Sequence, residues 1–366
     1  MKNSVIVFLF LIAFVLISCD KDEDSNDNPT GPPASNVKEY AGSGSNGDLV
    51  TFEIDKNALT WKIYNESTSQ ADSGSYSLMT GNLSGIFKIV VGTDTFYAVE
   101  MVDKFIVANF PTGNPLNNLS FGVTANSNHT NTNANIAGDY VFIEIDADGY
   151  YNDGRYKEWG VITVYPNNIF EGMSYATAGP YPLHDLIAPE TWNDGFPLNQ
   201  DSVDFDGTFS INGTYNERIN VSINQDPSGN YNGYAYATQS TGVFIIDKGY
   251  GNGFILCVKV DQSSTIAAVS SDYKFVSVLD GLVPVGGNAT ISASGGTYYE
   301  EAGNIAESGT LQNIQQCPNI PNMYYADMYS TQLDGKIYFV VNEDIFFMIG
   351  FDTNGEFVIY GAGAKL

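Results

Sequence analysis

Ile345-Phe346-Phe347-Met348-Ile349-Gly350-Phe351-Asp352-Thr353-Asn354-Gly355-Glu356-Phe357-Val358-Ile359-Tyr360 decides the fold class. Two runs of β-branched and aromatic residues flank Asn354-Gly355, a pair that accepts the positive φ of a tight hairpin turn. The same grammar recurs upstream. Asn212-Gly213 stands between Phe209-Ser210-Ile211 and Ile219-Asn220-Val221-Ser222-Ile223, and Asp334-Gly335 precedes Lys336-Ile337-Tyr338-Phe339-Val340-Val341. No segment carries the 3.6-residue apolar period of a helix. The chain reads as all-β, built from antiparallel hairpins.

The hairpins recur in a fixed order, which makes three degenerate copies. Each copy opens with a Gly-led strand: Gly47 to Phe52, Gly160 to Val164, Gly287 to Ile291. A Gly-centred strand start follows: Ser73 to Leu78, Asp206 to Ile211, Ser308 to Leu311. Next is an apolar hairpin through Phe105-Ile106-Val107, Phe244-Ile245-Ile246 or Phe346-Phe347-Met348. Closing strands lie near Leu119-Ser120-Phe121, Phe254-Ile255-Leu256 and Phe357-Val358-Ile359. Each copy is expected to be an antiparallel meander; whether it rolls into a small barrel or a sandwich is open at this level.

The expected β domains span residues 37–125, 136–262 and 263–366. Between the first two, residues 126–135 form an Asn/Thr-rich linker with almost no apolar side chain. The middle domain carries two insertions, Asp146 to Glu158 and the Pro-rich Gly179 to Asp206. Insertions of that length are either functional or disordered.

The first 36 residues are of a different kind. Lys2 is followed by an unbroken apolar run from Val5 to Ile17, shorter than the roughly 20 residues a bilayer span needs. That run ends in Leu16-Ile17-Ser18-Cys19, which resembles the lipobox of bacterial lipoproteins. The resemblance implies removal of residues 1–18 as a signal peptide and diacylation of Cys19, which anchors the chain to a membrane. Residues 19–36 then form an acidic and Pro-rich tether, expected to be extended through charge repulsion and proline. Its run Asp20-Lys21-Asp22-Glu23-Asp24 resembles the export tag that carries some lipoproteins to the outside of a diderm bacterium. The expected location is the outer membrane, facing the cell surface, with the periplasmic side as the alternative.

Charge narrows the partners. With 15 basic against 42 acidic side chains, the formal net charge is -27. Nucleic acid is an unsuitable partner, because its phosphates need clustered Lys and Arg to displace counterions. Only 16% of residues are charged while 43% are hydrophobic, so the chain can build more than one core. Beyond Cys19 two thiols remain, Cys257 and Cys317. An extracytoplasmic location permits a disulfide between them without requiring one.

Catalytic equipment is sparse. The two histidines, His129 and His184, fall in the linker and in an insertion. Gly172-Met173-Ser174-Tyr175-Ala176 lacks the second glycine of a nucleophile elbow. Carboxylates are plentiful, so a pair suited to glycoside hydrolysis cannot be picked out by sequence. Asp201, Asp204 and Asp206, ending at Gly207, have the oxygen density of a structural calcium site. No other cofactor is called for.

The aromatics are more directive. Tyr150, Tyr151, Tyr156, Trp159, Tyr181 and Trp192 crowd the insertions of the middle copy beside Asp and Asn. Rings that stack on sugar faces next to side chains that read hydroxyls suit a saccharide. The resulting expectation is an anchored binding or adhesion protein, with an extracellular glycan or a protein as ligand. A spacer lipoprotein and a carbohydrate-active enzyme are the alternatives.

Overall fold

Alternation in the sequence becomes strand after strand in the computed structural model. It describes residues 37–110, 121–126, 136–145, 157–175, 205–211, 218–225, 229–238, 242–249, 253–279, 283–303, 305–317, 322–331, 334–342, 344–353 and 357–365. The first eight strands are β1 (Val37–Gly44), β2 (Leu49–Asp55), β3 (Thr60–Asn65), β4 (Gln70–Leu78), β5 (Ile86–Val91), β6 (Asp94–Met101), β7 (Phe105–Asn109) and β8 (Phe121–Asn126). The next eight are β9 (Gly138–Ile145), β10 (Lys157–Val164), β11 (Ile169–Tyr175), β12 (Phe205–Ile211), β13 (Ile219–Gln225), β14 (Gly229–Ala237), β15 (Val243–Asp247) and β16 (Phe254–Lys259). The last eight are β17 (Ser271–Leu279), β18 (Val283–Ser292), β19 (Gly295–Ala302), β20 (Ile305–Gln316), β21 (Met323–Ser330), β22 (Asp334–Asn342), β23 (Ile345–Asp352) and β24 (Phe357–Lys365).

Each set is an antiparallel meander whose first strand bonds to its last, which decides for barrels over sandwiches. Tyr40 stands opposite Asn126, Ile145 opposite Phe254, and Val278 opposite Tyr360. Closure removes the exposed edges that open sheets must protect. The strands read as equivalent from sequence are the second, fourth, seventh and eighth of each barrel.

Eight strands leave an interior just wide enough for side chains to fill. Barrel 1 fills it with Tyr40, Phe52, Trp61, Phe87, Phe96 and smaller apolar neighbours. Rings of this size fit because the fourth strand places a glycine beside them. Gly74 lies opposite Trp61, Gly207 opposite Phe170, and Gly309 opposite Tyr298. A Cβ on Gly207 would come within 2.2 Å of the Phe170 ring, and one on Gly309 within 2.4 Å of the Tyr298 ring.

Two readings of glycine change. Gly47 lies in the β1–β2 turn at φ 70°, outside the strand, so it is not the counterpart of Gly160 and Gly287. Asp334-Gly335 belongs to β22, where the missing side chain lets the Phe351 carbonyl approach. A better repeat marker is a tyrosine in each first strand: Tyr40, Tyr140 and Tyr273. The Tyr140 and Tyr273 hydroxyls each donate 2.7 Å to a carbonyl four residues upstream, Ile136 and Val269.

A fourth apolar cluster lies among the barrels. It takes outward residues from all three, among them Tyr97, Val107, Ile245, Leu256, Phe347 and Tyr360. Strands β7, β15 and β23 are therefore buried on both faces over nearly their whole length. Polar bridges join every pair of barrels. The Asn109 amide donates 2.7 Å to the Ser277 and Val285 carbonyls, and Asn342 donates 2.6 Å to the Lys259 carbonyl. Arg218 pairs with Glu66 at 2.5 Å between barrels 1 and 2.

The disulfide allowed by the sequence is not formed: Cys257 and Cys317 are both free and buried. Alternation sends Cys257 into the barrel 2 interior, whereas Cys317 sits in the shared cluster. Burial pushes both thiols up from their ordinary acidity, so they are protonated and inert. Among the described residues no helix is long and apolar enough to cross a membrane.

Candidate functional site

One flank of each barrel is committed to the shared cluster, which leaves the opposite flank facing outward. In barrel 2 that flank is β12–β14, where period-two alternation turns Phe205, Phe209, Val221, Ile223 and Ala235 inward. Asp206, Thr208 and Ser210 on β12, Asn220, Ser222 and Asn224 on β13, and Asn230 and Asn232 on β14 face out and are exposed. Strand register puts them in cross-strand rows. Thr208, Ser222 and Asn232 form one row; Ser210, Asn220 and Tyr234 form the next.

These rows line a shallow depression of about 330 Å³. Among the described residues, no hydrogen bond is made by the side chains of Thr208, Ser210, Asn220, Ser222 or Asn232, which leaves hydroxyls and amides open to solvent or a ligand. Tyr234 supplies a half-buried ring at one corner, with the Arg218 guanidinium 5.7 Å above it. Hydroxyls and amides both donate and accept, which matches the hydroxyl groups of a neutral sugar. A second depression of about 410 Å³ crosses β2–β4 of barrel 1. There Lys62 is paired with Glu53 at 2.8 Å, and Asp55 accepts from the Asn57 and Ala58 backbone N–H groups.

The residues singled out from sequence are only partly described. Trp159 is in β10, opposite Ile143 and Tyr175. Tyr150, Tyr151, Tyr181, Trp192, Asp201, Asp204 and Cys19 lie outside the described residues. Asp206 is exposed on β12, where it accepts 3.1 Å from the Asn224 amide. Among the described residues there is no group of three His, Cys, Asp or Glu that could hold a metal.

One carboxylate pair meets part of the requirement for acid–base chemistry. Glu300 on β19 faces Glu307 on β20. Burial of the Glu300 carboxyl, with the Glu307 charge adding to it, pushes its pKa up to about 8. Both residues are half-buried, on the strand face that carries Tyr298 and Leu311 toward the barrel 3 interior, whereas β12–β14 belong to barrel 2. The polar rows were legible in the sequence as alternation; their adjacency was not, because it depends on register across three strands.

The chain matches no family model and no curated protein. Among solved structures it is similar to transferrin binding protein B. For a double mutant of the Haemophilus parasuis protein, a vaccine antigen, identity is 7% and the TM-score 0.29, covering 87% of this chain and 65% of that one. For the isotype 1 protein of serogroup B Neisseria meningitidis, identity is 11% and the TM-score 0.29, covering 87% and 66%. The chain thus spans just under two thirds of the length of each. A protein of unknown function from the DUF3598 family of Nostoc punctiforme gives 7% identity and a TM-score of 0.15 over 91% and 96%. With TM-scores this low, no function follows from these likenesses.

Proposed function

We propose that this chain is a lipid-anchored binding protein displayed on the bacterial surface, and that its ligand is a glycan held on the outer face of β12–β14. The observation that carries the reading is the set of open hydroxyls and amides on Thr208, Ser210, Asn220, Ser222 and Asn232, gathered in one depression. Tyr234 borders the depression with its ring half-buried, packed against the shared cluster and under the Arg218 guanidinium. In the sequence, the insertion carrying Tyr181 and Trp192 immediately precedes β12. Anchoring rests on the lipobox ending at Cys19, and display on the acidic tag after it.

Anchoring is tested by Cys19→Ala, which is expected to move the protein from the membrane fraction to the soluble one. Retention in the membrane would mean a different anchor. Binding is tested on a glycan array with the fragment from Val37 onward, a single compact unit. The combined substitution Asn220→Ala, Asn232→Ala, Tyr234→Ala is expected to weaken the best ligand by about tenfold or more, since each lost polar contact is worth about 1 kcal/mol. Asn220→Ala and Asn232→Ala singly should shift stability by no more than about 0.5 kcal/mol, being exposed. Unchanged affinity in the combined variant would remove this face from consideration.

A further inference from the structure

Barrels 1 and 2 each turn a carboxylate inward and cover it with a lysine. Glu100 on β6 pairs with Lys56 at 2.6 Å, and Glu144 on β9 pairs with Lys248. Barrel 3 breaks this pattern. Alternation puts Glu300 on the same inward face of β19 as Tyr298, and Glu307 on the same inward face of β20 as Leu311. The two stand directly opposite in register. Such a placement sets Cβ atoms about 5 Å apart, close enough for two carboxyl groups to meet. Among the described residues no lysine or arginine pairs with either one, and Glu307 Oε1 is shielded from water without a hydrogen-bond donor. The surrounding strands offer nothing to balance the charge. On β18 the neighbour of Glu300 is Gly287, where a Cβ would meet the Phe275 ring of β17. The Tyr298 hydroxyl is engaged with Ser330 of β21, and burial pushes its pKa up to about 12. Asp334 of β22, whose charge also reaches Tyr298, is a further anion. Glu301 faces the other way, to Lys88 of barrel 1 at 2.7 Å.

We propose that Glu300 and Glu307 share one proton, and that this proton clasps the β19–β20 hairpin shut and keeps it seated on barrel 1. The protonated Glu300 carboxyl donates to Glu307 Oε1, which gives that shielded oxygen its donor. Loss of the proton to water leaves two like charges face to face, an arrangement that destabilises a strand pair. Burial acts in the same direction as the facing charge, and together they push the pKa of Glu300 from 4.5 up to about 8. The folded chain therefore holds this proton more tightly than the unfolded chain does. The stabilisation is complete below about pH 4.5 and is lost as pH rises through about 8. The hairpin also carries contacts to barrel 1. Gly303 in its turn donates its N–H to the Tyr97 hydroxyl at 3.0 Å and accepts from Lys88 at 3.3 Å. Opening β19–β20 pulls on both contacts, so the seat on barrel 1 loosens with it.

The test uses the full chain and needs no ligand. Hydrogen exchange is followed at roughly pH 6 and roughly pH 9, corrected for intrinsic exchange chemistry. Protection in peptides covering β19 and β20 is expected to fall by about tenfold or more at the higher pH, while peptides covering β13 in barrel 2 keep theirs. Glu300→Gln sets a permanent amide donor opposite Glu307, so its hairpin should stay protected at both pH values. Should that variant fail to fold, Glu307→Gln serves instead: its amide donates to an ionised Glu300, and the fall between the two pH values should vanish. The proton itself is read by infrared spectroscopy. The band of a protonated carboxyl should fade near about pH 8 in the wild type and be missing from whichever variant folds. Equal protection of the hairpin at both pH values in the wild type overturns the clasp. So does a fall of the same size in β13, a fall that persists in the folded glutamine variant, or a carboxyl band that the variant retains in full.

Discussion

Lys248→Ala is expected to cost about 3–5 kcal/mol of stability, although the residue touches no part of the proposed ligand face. Its ammonium pairs with the Glu144 carboxylate, with side chains only 2% and 5% exposed. Glu144 follows Tyr140 and Phe142 along the inward face of β9, and the ammonium also lies 5.0 Å over the Tyr231 ring. Removing the cation strands a carboxylate inside barrel 2 where water cannot replace it. Removing both charges is different, because the desolvation of two ions disappears along with their attraction. Glu144→Leu with Lys248→Met should therefore recover most of the loss, to within about 1 kcal/mol of the wild type. Urea midpoints of the four-member cycle measure this. A double variant no more stable than Lys248→Ala would show that the cost lies in packing, not in an abandoned charge.

Trp61→Ala should be equally severe, at about 3–5 kcal/mol for a buried large aromatic. The ring is 2% exposed, stacks at 6.3 Å on Phe52 and meets Phe96 edge-on at 5.2 Å. The informative part is how the loss spreads. Tyr97 and Val107 of barrel 1 share one apolar cluster with Leu256 of barrel 2 and Phe347 of barrel 3. Barrel 1 cannot unfold without exposing its neighbours, so the three barrels should melt in one transition displaced as a whole. Exchange at Phe346–Ile349 should accelerate together with exchange at Phe52–Ile54. If barrel 1 alone opens early, the shared cluster is too weak to couple the barrels.

The amino-acid order by itself determined the all-β class, the antiparallel hairpins and their threefold recurrence. These follow from local chemistry: period-two alternation, turn pairs such as Asn354-Gly355, and Gly-centred strands such as Asp206 to Ile211. The same rules misplaced Gly47 and Gly335, because a glycine tolerates a turn and a crowded strand equally well. Closure was beyond such rules, since Tyr40 meets Asn126 only after seven other strands are laid down. The shared core was hidden for a related reason. In Val243-Phe244-Ile245-Ile246-Asp247 both faces are buried, so the run loses the alternation that shows which side is wet. The candidate site divides in the same way. Each of Thr208, Asn220 and Asn232 is visibly an outward polar residue of its own strand, but only register brings them into one depression. The hydrogen bond from Ser43 to Asp247, across 204 positions of chain, depends on how two closed barrels seat against each other, and no local pattern encodes that.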